Sequence, residues 1–305
     1  MTIPINIMTD CEDSFKSRVD YLSLRSRFAK PERYRLHLTS RYRLGDNEKI
    51  PELTANIWGK FIDDTIWTHP IYTLIGGEPL LYPHITDVLT ILGFNNSRIE
   101  IVTNGNLLNK YIDLMFKYNV KIIIGLEDIH KSNVRILEII KDFKTEYYKN
   151  INFNLTISPE NMEYVEQWLN NLMIYPIQSI SFQQELKSLD LATNIEMNKF
   201  TDLLKQKFSK NSTKIIFLPI TSFDNNVCLK PWLNPTIMPN GNILNCQYQV
   251  IGNITNNSIW EIWNEGINLK FREKLLNIHK FPYCLHCEDF YFKYEILYER
   301  VEKNE

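Results

Sequence analysis

The chain has 305 residues, of which 44% are hydrophobic and 23% are charged, and its formal net charge is −2 at pH 7. This length and hydrophobic content suit one large domain with a small appendage, and the near-neutral charge argues against nucleic-acid binding through bulk electrostatics. The start of the chain has no basic segment followed by an apolar core, and no apolar run reaches the roughly 18 residues that a membrane helix needs. We therefore expect a cytoplasmic protein whose partner is neither a nucleic acid nor a membrane.

Strand-like and helix-like segments alternate from about residue 33 to about residue 220. Strands are predicted at 34–40, 71–77, 98–105, 120–127, 150–158, 177–184 and 213–220, and helices at 52–66, 84–94, 107–119, 132–144, 161–173 and 198–210. Such an alternation indicates βαβ units and a parallel sheet. The number of strands suits a curved sheet or an incomplete barrel, in which ligand sites lie at the carboxyl ends of the strands.

The pattern changes on both sides of this region. Residues 1–32 are predicted to be a helical lead-in, 33–222 a partial barrel, and 223–305 a small α+β domain. In the last segment, Asn240-Gly241 separates two short apolar runs, which is a strong hairpin signal. One helix is predicted over 258–280, and the tryptophans of this segment are expected to pack its core: Trp232, Trp260 and Trp263.

The second predicted strand ends in an unusual way. The segment IYTLIGGEPLLYPHI, residues 71–85, breaks on Gly76 and Gly77 and then turns through Glu78 and Pro79. This turn lies at the strand end where a ligand is expected, and TNG, residues 103–105, follows the next strand. Two interpretations are open. The turn binds a ligand, or it serves the fold alone, with Glu78 paired to a nearby Arg or Lys.

Cysteines cluster toward the end of the chain. Cys11 stands apart, and the other four are Cys228, Cys246, Cys284 and Cys287. The last two form a Cys-x-x-Cys turn, and the predicted hairpin supplies Cys246. Four thiolates suit either a tetrahedral zinc ion or a [4Fe-4S] cluster, and the donor set alone does not choose between them. Buried cysteines without a ligand are the remaining interpretation.

Several motifs in one order resemble the radical S-adenosylmethionine (SAM) enzymes with a C-terminal twitch (half SPASM) domain. They are GGEPLL, TNGNLL and TISPEN in the alternating region, followed by IMPNGNILNC, IGNI, SIWEIWN and YCLHC. The resemblance covers about residues 33 to 290. It implies an incomplete (β/α)6-type barrel, similar to that of radical SAM enzymes, followed by a small α+β twitch domain.

The resemblance also implies ligands. In this family the Gly-Gly-Glu-Pro turn closes over the methionine part of SAM, which makes Gly76, Gly77, Glu78 and Pro79 the candidate cofactor-binding residues. It further implies one auxiliary [4Fe-4S] cluster on Cys228, Cys246, Cys284 and Cys287 and so favours iron–sulfur, with zinc as the alternative.

The loop after the first strand departs from the family pattern. The family holds its radical-generating cluster with Cys-x-x-x-Cys-x-x-Cys at this point, but this loop reads RYRLGDNEK, with Tyr42, Asp46 and Lys49 at the three positions. Phenol and carboxylate oxygens are hard donors, and protonated lysine has no lone pair. We therefore expect no deoxyadenosyl radical, and the same change removes the anchor that an open iron would give SAM.

Three functions follow from these observations. The first is a protein without radical chemistry that acts as a binding or electron-transfer partner in peptide or protein modification. The second is a non-radical enzyme that binds SAM or another small ligand at the strand ends, with Asp46 or Glu78 as the acid–base group. The third is a zinc-stabilised interaction module. The cations of the loop, Arg41, Arg43 and Lys49, are either solvated or bind an anionic ligand or a partner's acidic surface.

Overall fold

The computed structural model describes residues 29–126, 129–184, 191–208, 213–217, 230–246 and 248–278. The strands of these ranges are Arg33–Thr39 (β1), Ile71–Gly76 (β2), Arg98–Thr103 (β3), Lys121–Leu126 (β4), Ile151–Ile157 (β5), Ser179–Gln184 (β6), Lys214–Phe217 (β7), Thr236–Ile237 (β8), Asn242–Leu244 (β9) and Val250–Asn253 (β10). They form one 10-stranded sheet in the order β10-β9-β8-β1-β2-β3-β4-β5-β6-β7. Strands β1 to β7 are parallel to their neighbours.

The helices follow the strands in alternation. They are Ala55–Thr65 (α1), Ile85–Phe94 (α2), Leu108–Lys117 (α3), Ile129–Ile140 (α4), Met162–Leu172 (α5), Leu191–Phe208 (α6), Lys230–Leu233 (α7), Ile259–Asn264 (α8) and Gly266–Ile278 (α9). The predicted alternation is therefore confirmed, and the largest shift of a boundary is at α6, which begins at residue 191 instead of 198. Of the predicted helical lead-in, residues 1–28 lie outside the described residues.

One face of the parallel sheet is apolar and packs against the helices. Successive residues of a strand point to opposite faces, and on β1 the helix-facing residues Tyr34, Leu36 and Leu38 are fully buried. Tyr34 stacks on Tyr72 of β2 with ring centroids 5.8 Å apart and meets the edge of Phe61 of α1 at 5.2 Å. Burial of such aromatic and branched side chains is the main force that holds the helices on the sheet.

The other face is polar and partly open. In register across four strands lie Arg35, Thr73, Glu100 and Lys121. Arg33 forms an ion pair with Glu100, and the Lys121 Nζ lies 3.5 Å from the Glu100 Oε1. Burial alone would raise the pKa of Glu100, but the two cations hold that pKa below its usual value. An ion-pair network with the buried Glu100 at its centre thus joins β1, β3 and β4 on this face.

The C-terminal hairpin extends this sheet. Strand β8 runs parallel to β1 and antiparallel to β9, and the turn between β8 and β9 contains Asn240-Gly241 as predicted. Gly241 has a φ of 84°, which a residue with a side chain rarely adopts, and its N–H donates to the Met238 carbonyl oxygen over 2.9 Å. Trp232 and Trp263 are buried in the core as predicted, whereas Trp260 is only half-buried and packs on the exposed Trp67.

The single helix predicted over 258–280 is wrong. The structure has two helices, α8 and α9, which meet at Glu265 and Gly266. Gly266 has a φ of 56°, which takes the chain out of the helical region. The side-chain amide of Asn268 donates to the Trp263 carbonyl oxygen over 2.9 Å and so satisfies an acceptor that the break leaves open.

Across the ranges given above, the structure contains no helix with the length and apolar character needed to cross a membrane.

Candidate functional site

The Gly-Gly-Glu-Pro turn, residues 76–79, leaves the carboxyl end of β2 and meets the loop after β1. The Gly77 N–H donates to the Thr39 carbonyl oxygen over 3.0 Å, and the Glu78 N–H donates to the Arg41 carbonyl oxygen over 2.7 Å. Both contacts join main chain to main chain. The turn therefore lies at the edge of the sheet where ligands bind in such folds, and it is fixed to its neighbour by backbone hydrogen bonds.

Both glycines are required by this close approach. A Cβ atom on Gly76 would lie 2.5 Å from the Thr39 carbonyl oxygen, and a Cβ atom on Gly77 would lie 2.1 Å from the Arg41 carbonyl oxygen. Gly76 also has a φ of 138°. Since real Cβ contacts are longer than these distances, any side chain would push the two loops apart. The contacts within the protein are thus sufficient to explain the pair of glycines.

Glu78 is 2% exposed and is bound on both carboxylate oxygens. Its Oε1 accepts from the Leu80 N–H over 3.0 Å and from the Thr103 hydroxyl over 2.8 Å. Its Oε2 accepts from the Asn104 N–H over 2.8 Å. The carboxylate thereby connects the end of β2 with the end of β3. The partners that the structure gives it are main-chain and hydroxyl donors rather than the Arg or Lys suggested by the sequence.

The environment of Glu78 has opposing effects on its acidity. Burial raises the pKa of the carboxyl, and the hydrogen bonds from Asn104, Thr103 and Leu80 partly offset this effect, so the pKa stays above its usual value. A raised pKa suits a general acid or base. Both oxygens are, however, already held by protein donors, so the side chain is better placed to stabilise the turn than to move a proton.

The loop after β1 closes on itself through two polar side chains. The Asp46 Oδ2 accepts from the N–H groups of Tyr42 and Arg43 over 3.0 and 2.9 Å. The Ser40 hydroxyl oxygen accepts from the Lys49 N–H over 2.8 Å. The two backbone hydrogen bonds also lower the pKa of the exposed Asp46. Asp46 is therefore an ionised brace of the loop, which does not favour the acid–base role suggested for it.

The donors of this loop do not fit a thiolate-held iron–sulfur cluster. At the three positions in question stand a phenol, a carboxylate and an ammonium group, and Tyr42 is 62% exposed to solvent. Iron–sulfur clusters require soft thiolate ligands. In addition, the carboxylate of Asp46 already accepts from two amides of the same loop.

The base of the loop is held by a buried carboxylate that sequence reasoning did not single out. Glu52 accepts from the Thr39 hydroxyl over 2.5 Å and from the Arg41 Nη2 over 3.1 Å. Arg41 also approaches Glu48 at 3.4 Å. Thr103 was likewise missed as a partner of Glu78, although TNG was expected at a strand end. No local pattern marks either residue, because both contacts depend on how the strands and loops pack.

Cys246 is the only one of the predicted metal ligands that lies within the described part of the chain. It lies two residues after the end of β9 and is half-buried beside the core. Cys228, Cys284 and Cys287 lie outside the described residues, as does Cys11. Among the residues that the structure does describe, no three His, Cys, Asp or Glu side chains come together as a metal site. The predicted ligand set therefore stays a prediction.

The segment just after Cys228 is clamped by the C-terminal helices. The Trp263 Nε1 donates to the Trp232 carbonyl oxygen over 3.1 Å, and the Arg272 Nε donates to the Pro231 carbonyl oxygen over 2.7 Å. Arg272 is completely buried, and this burial lowers its pKa to about 9. Helices α8 and α9 thus hold α7, which begins two residues beyond Cys228.

A comparison with protein families supports the resemblance in the C-terminal region. Residues 228–288 match the family model of the SPASM domain, which is described as an iron–sulfur cluster-binding domain. This range contains all four predicted cysteine ligands. No curated protein matches the chain in sequence.

Solved structures support the fold of the whole chain. SuiB from Streptococcus suis bound to S-adenosylmethionine has a TM-score of 0.66 at 15% identity, over 93% of this chain and 78% of that one. SuiB bound to the precursor peptide SuiA gives 0.66 at 15% identity, over 94% and 77%. The protein anSMEcpe with bound AdoMet gives 0.60 at 12% identity, over 86% and 84%. The chain therefore has the fold of the radical SAM enzymes, a partial barrel followed by a SPASM-type domain, and the predicted fold class is confirmed.

Proposed function

We propose that this chain, which has the radical SAM fold and a SPASM domain match, has lost the radical-generating cluster of that fold. In this proposal residues 33–222 form the degenerate barrel and 223–305 the twitch domain. The protein keeps one auxiliary [4Fe-4S] cluster and acts as a binding or electron-transfer partner in the modification of a peptide or protein. The observation that carries the proposal is the loop after β1, whose donors cannot replace thiolates.

Two features of the loop support the loss of the radical cluster. The sequence has no cysteine between Cys11 and Cys228, so this part of the barrel cannot supply three thiolates. The loop also needs no metal to hold its shape, because Asp46 and Ser40 close it by hydrogen bonds.

The auxiliary cluster is supported by the SPASM match and by the thiolate donor set. Cys228, Cys246, Cys284 and Cys287 would hold it, and such a cluster supplies one-electron transfer or a structural brace when bound. Two described segments next to the proposed ligands in sequence are consistent with this proposal. Arg272 and Trp263 hold α7, which begins two residues after Cys228 in the sequence, and Cys246 stands two residues after β9 of the hairpin.

A peptide or protein partner is supported by the relatives of the fold. SuiB has been solved with the precursor peptide SuiA, and anSMEcpe with AdoMet and the Cp18Cys peptide. The second structure has a TM-score of 0.59 at 12% identity, over 86% of this chain and 87% of that one. Peptide binding on this fold is thus established for other proteins, and we carry it to this chain as part of the proposal.

Bound SAM is not needed to explain the Gly-Gly-Glu-Pro turn. The glycines make room for the carbonyl groups of Thr39 and Arg41, and Glu78 is bound by donors of the protein. We therefore propose that the turn is kept because the barrel needs it.

The test is a SAM cleavage assay under anaerobic conditions. The purified protein, after iron and sulfide reconstitution, is incubated with SAM and dithionite, and 5′-deoxyadenosine is measured by chromatography. The protein anSMEcpe, treated in the same way, is the positive control. We expect no deoxyadenosine above the level of a blank without protein. Multiple turnovers of deoxyadenosine would show that a radical cluster forms, and the proposal would then be wrong.

A further inference from the structure

We call residues 40–50, which follow β1, the β1 loop. Its base is fixed to the mouth of the barrel, because the Arg41 carbonyl oxygen accepts from the Glu78 N–H and the Arg41 guanidinium binds Glu52. The Glu52 side chain is 7% exposed, so this anchor is well shielded from solvent. Anything that binds the β1 loop therefore lies beside the carboxyl ends of β1 and β2.

The β1 loop is held in one shape by its own side chains. Asp46 binds the N–H groups of Tyr42 and Arg43, and Ser40 binds those of Lys49 and Ile50 over 2.8 and 3.3 Å. Both residues bridge the two arms of the loop. A surface that is already ordered loses little conformational entropy when a partner binds, and this favours affinity.

The tip of the β1 loop exposes large apolar side chains. Tyr42 is 62% exposed and Leu44 is 78% exposed, with Arg43 between them. Tyrosine and arginine are among the residues that contribute most to protein–protein interfaces. A single exposed apolar residue is ordinary, but here two of them stand within three residues of one ordered loop and offer apolar area to a partner.

The acidic and basic side chains of the β1 loop differ in the partners that they have within the protein. Its acidic side chains have partners within the loop or its base, since Asp46 binds main-chain amides and Glu48 approaches Arg41. Arg43 and Lys49 have no carboxylate within salt-bridge distance among the residues that the structure describes, although both lie near enough to Asp46 to help lower its pKa. One exposed cation, Arg43, thus lies within the apolar tip and a second, Lys49, lies on the returning arm of the loop, and neither is held in a direct ion pair with a described residue.

We propose that the β1 loop is the docking surface for an acidic peptide segment in which carboxylates alternate with apolar side chains. The apolar side chains would pack on Tyr42 and Leu44, and the carboxylates would pair with Arg43 and Lys49. This inference rests on the proposed function, because it names the chemistry of the peptide partner and the place where that partner binds. The loop would thereby use, for binding, the position at which the resemblance to radical SAM enzymes implies a cluster.

The probe is a fluorescein-labelled peptide in which Glu and Leu alternate, followed by fluorescence anisotropy with the full chain. Peptides with Lys in place of Glu, and with Ser in place of Leu, are measured in parallel. We expect the Glu–Leu peptide to bind best and its affinity to fall as the salt concentration rises. Equal binding of the Glu–Leu and Lys–Leu peptides would overturn the proposal.

Variants locate the binding surface. The charge reversal R43E with K49E should weaken binding of the Glu–Leu peptide by roughly tenfold or more, and Y42A with L44A should weaken it to a similar degree. The matched controls are K60E, an exposed cation of α1, and I174A, an apolar side chain that is 74% exposed. Loss of affinity in the controls to the same extent as in the loop variants would place the binding elsewhere.

Size-exclusion chromatography with light scattering distinguishes a second copy of the chain as the occupant. If the wild-type chain is a dimer and the Y42A/L44A variant is a monomer, the loop binds another copy of the chain. The acidic-peptide proposal would then be wrong. Iron content, measured on the same samples, separates this test from that of the proposed function. A sample with the expected iron that fails to bind the peptide overturns the docking surface alone.

Discussion

The Thr103 hydroxyl donates to the Glu78 Oε1 over 2.8 Å and so connects the ends of two neighbouring parallel strands. The two residues are separated by one helix in sequence, and the contact forms only when β2 and β3 lie side by side. Asn104 adds a main-chain donor to the other carboxylate oxygen at 2.8 Å. A carboxylate that resembles a ligand residue in the sequence is therefore part of the frame of the barrel.

Removal of the Glu78 carboxylate should destabilise the fold. The variant E78A leaves three donors without their acceptor: the buried N–H of Leu80, the buried hydroxyl of Thr103 and the partly buried N–H of Asn104. We expect a loss of about 1–3 kcal/mol in the free energy of unfolding, measured by urea titration. The control is E138A, an exposed glutamate of α4. Equal stability of E78A and wild type would contradict the structural role.

Glu100 should make the free energy of unfolding depend on pH in the acidic range. Its carboxylate is buried between Arg33 and Lys121, which hold its pKa below the usual value against the effect of burial. A depressed folded-state pKa gives stability that is present above the unfolded pKa and is lost as the pH falls through the folded pKa. The variant E100Q leaves both cations without their carboxylate, and we expect a loss of about 3–5 kcal/mol at neutral pH.

Urea titrations of wild type and E100Q at several pH values test this expectation. The stability difference should be constant above the usual pKa of a glutamate, near ~4.3, and should shrink at lower pH. If the stability difference between wild type and E100Q instead grows as the pH falls, the pKa of Glu100 is not lowered in the folded protein and this expectation is wrong.

Gly77 should not tolerate a side chain. In the variant G77A the new Cβ would lie 2.1 Å from the Arg41 carbonyl oxygen, which belongs to the backbone and cannot rotate away. We expect a loss of more than about 2 kcal/mol, or a displaced loop that exposes the backbone contacts to hydrogen exchange. The matched control is G125A in β4, where no heavy atom lies within 4 Å of the new Cβ.

The two alanine variants should differ in their free energy of unfolding, because only G77A creates a clash with the backbone. The control should change the free energy of unfolding by less than about 1 kcal/mol. If both variants unfold at the same urea concentration as wild type, the close approach of the two loops is not present in solution.

Substitution of Cys284 and Cys287 together by Ser should remove the iron of the C-terminal domain. Hydroxyl groups are poor ligands for iron–sulfur iron, and a cluster stabilises a small domain because the unfolded chain has no preformed site. We expect loss of the charge-transfer absorbance and a lower melting temperature. The control C11S should keep both the colour and the stability. An unchanged melting temperature in the double variant would mean that the site does not support the fold.

Much of the fold could be predicted because its signals are local. Alternating and β-branched runs indicate the strands, helical spacing of apolar residues indicates the helices, and Asn240-Gly241 indicates the hairpin. The break at Gly266 was missed because a glycine within a helical pattern is compatible with a continuous helix. Only the φ of 56° shows that the chain turns there.

The candidate site was predictable in part for the same reason. The turn at Gly76 and Gly77 stands out in the sequence, but its partners Thr39 and Arg41 do not, because main-chain contacts leave no side-chain pattern. The role of Asp46 was also not visible. Its hydrogen bonds to main-chain amides depend on the closure of the loop, which the spacing of residues does not reveal.

Iron, sulfide and zinc content per chain, measured on anaerobically purified and reconstituted protein, tests the loss of the radical cluster most directly. We expect about four irons and about four sulfides per chain, held by the C-terminal cysteines. About eight irons, with a second cluster that persists in the C284S/C287S variant, would place a cluster in the barrel and contradict the proposed function. One zinc with no iron would contradict the auxiliary cluster and reduce the site to a structural clamp.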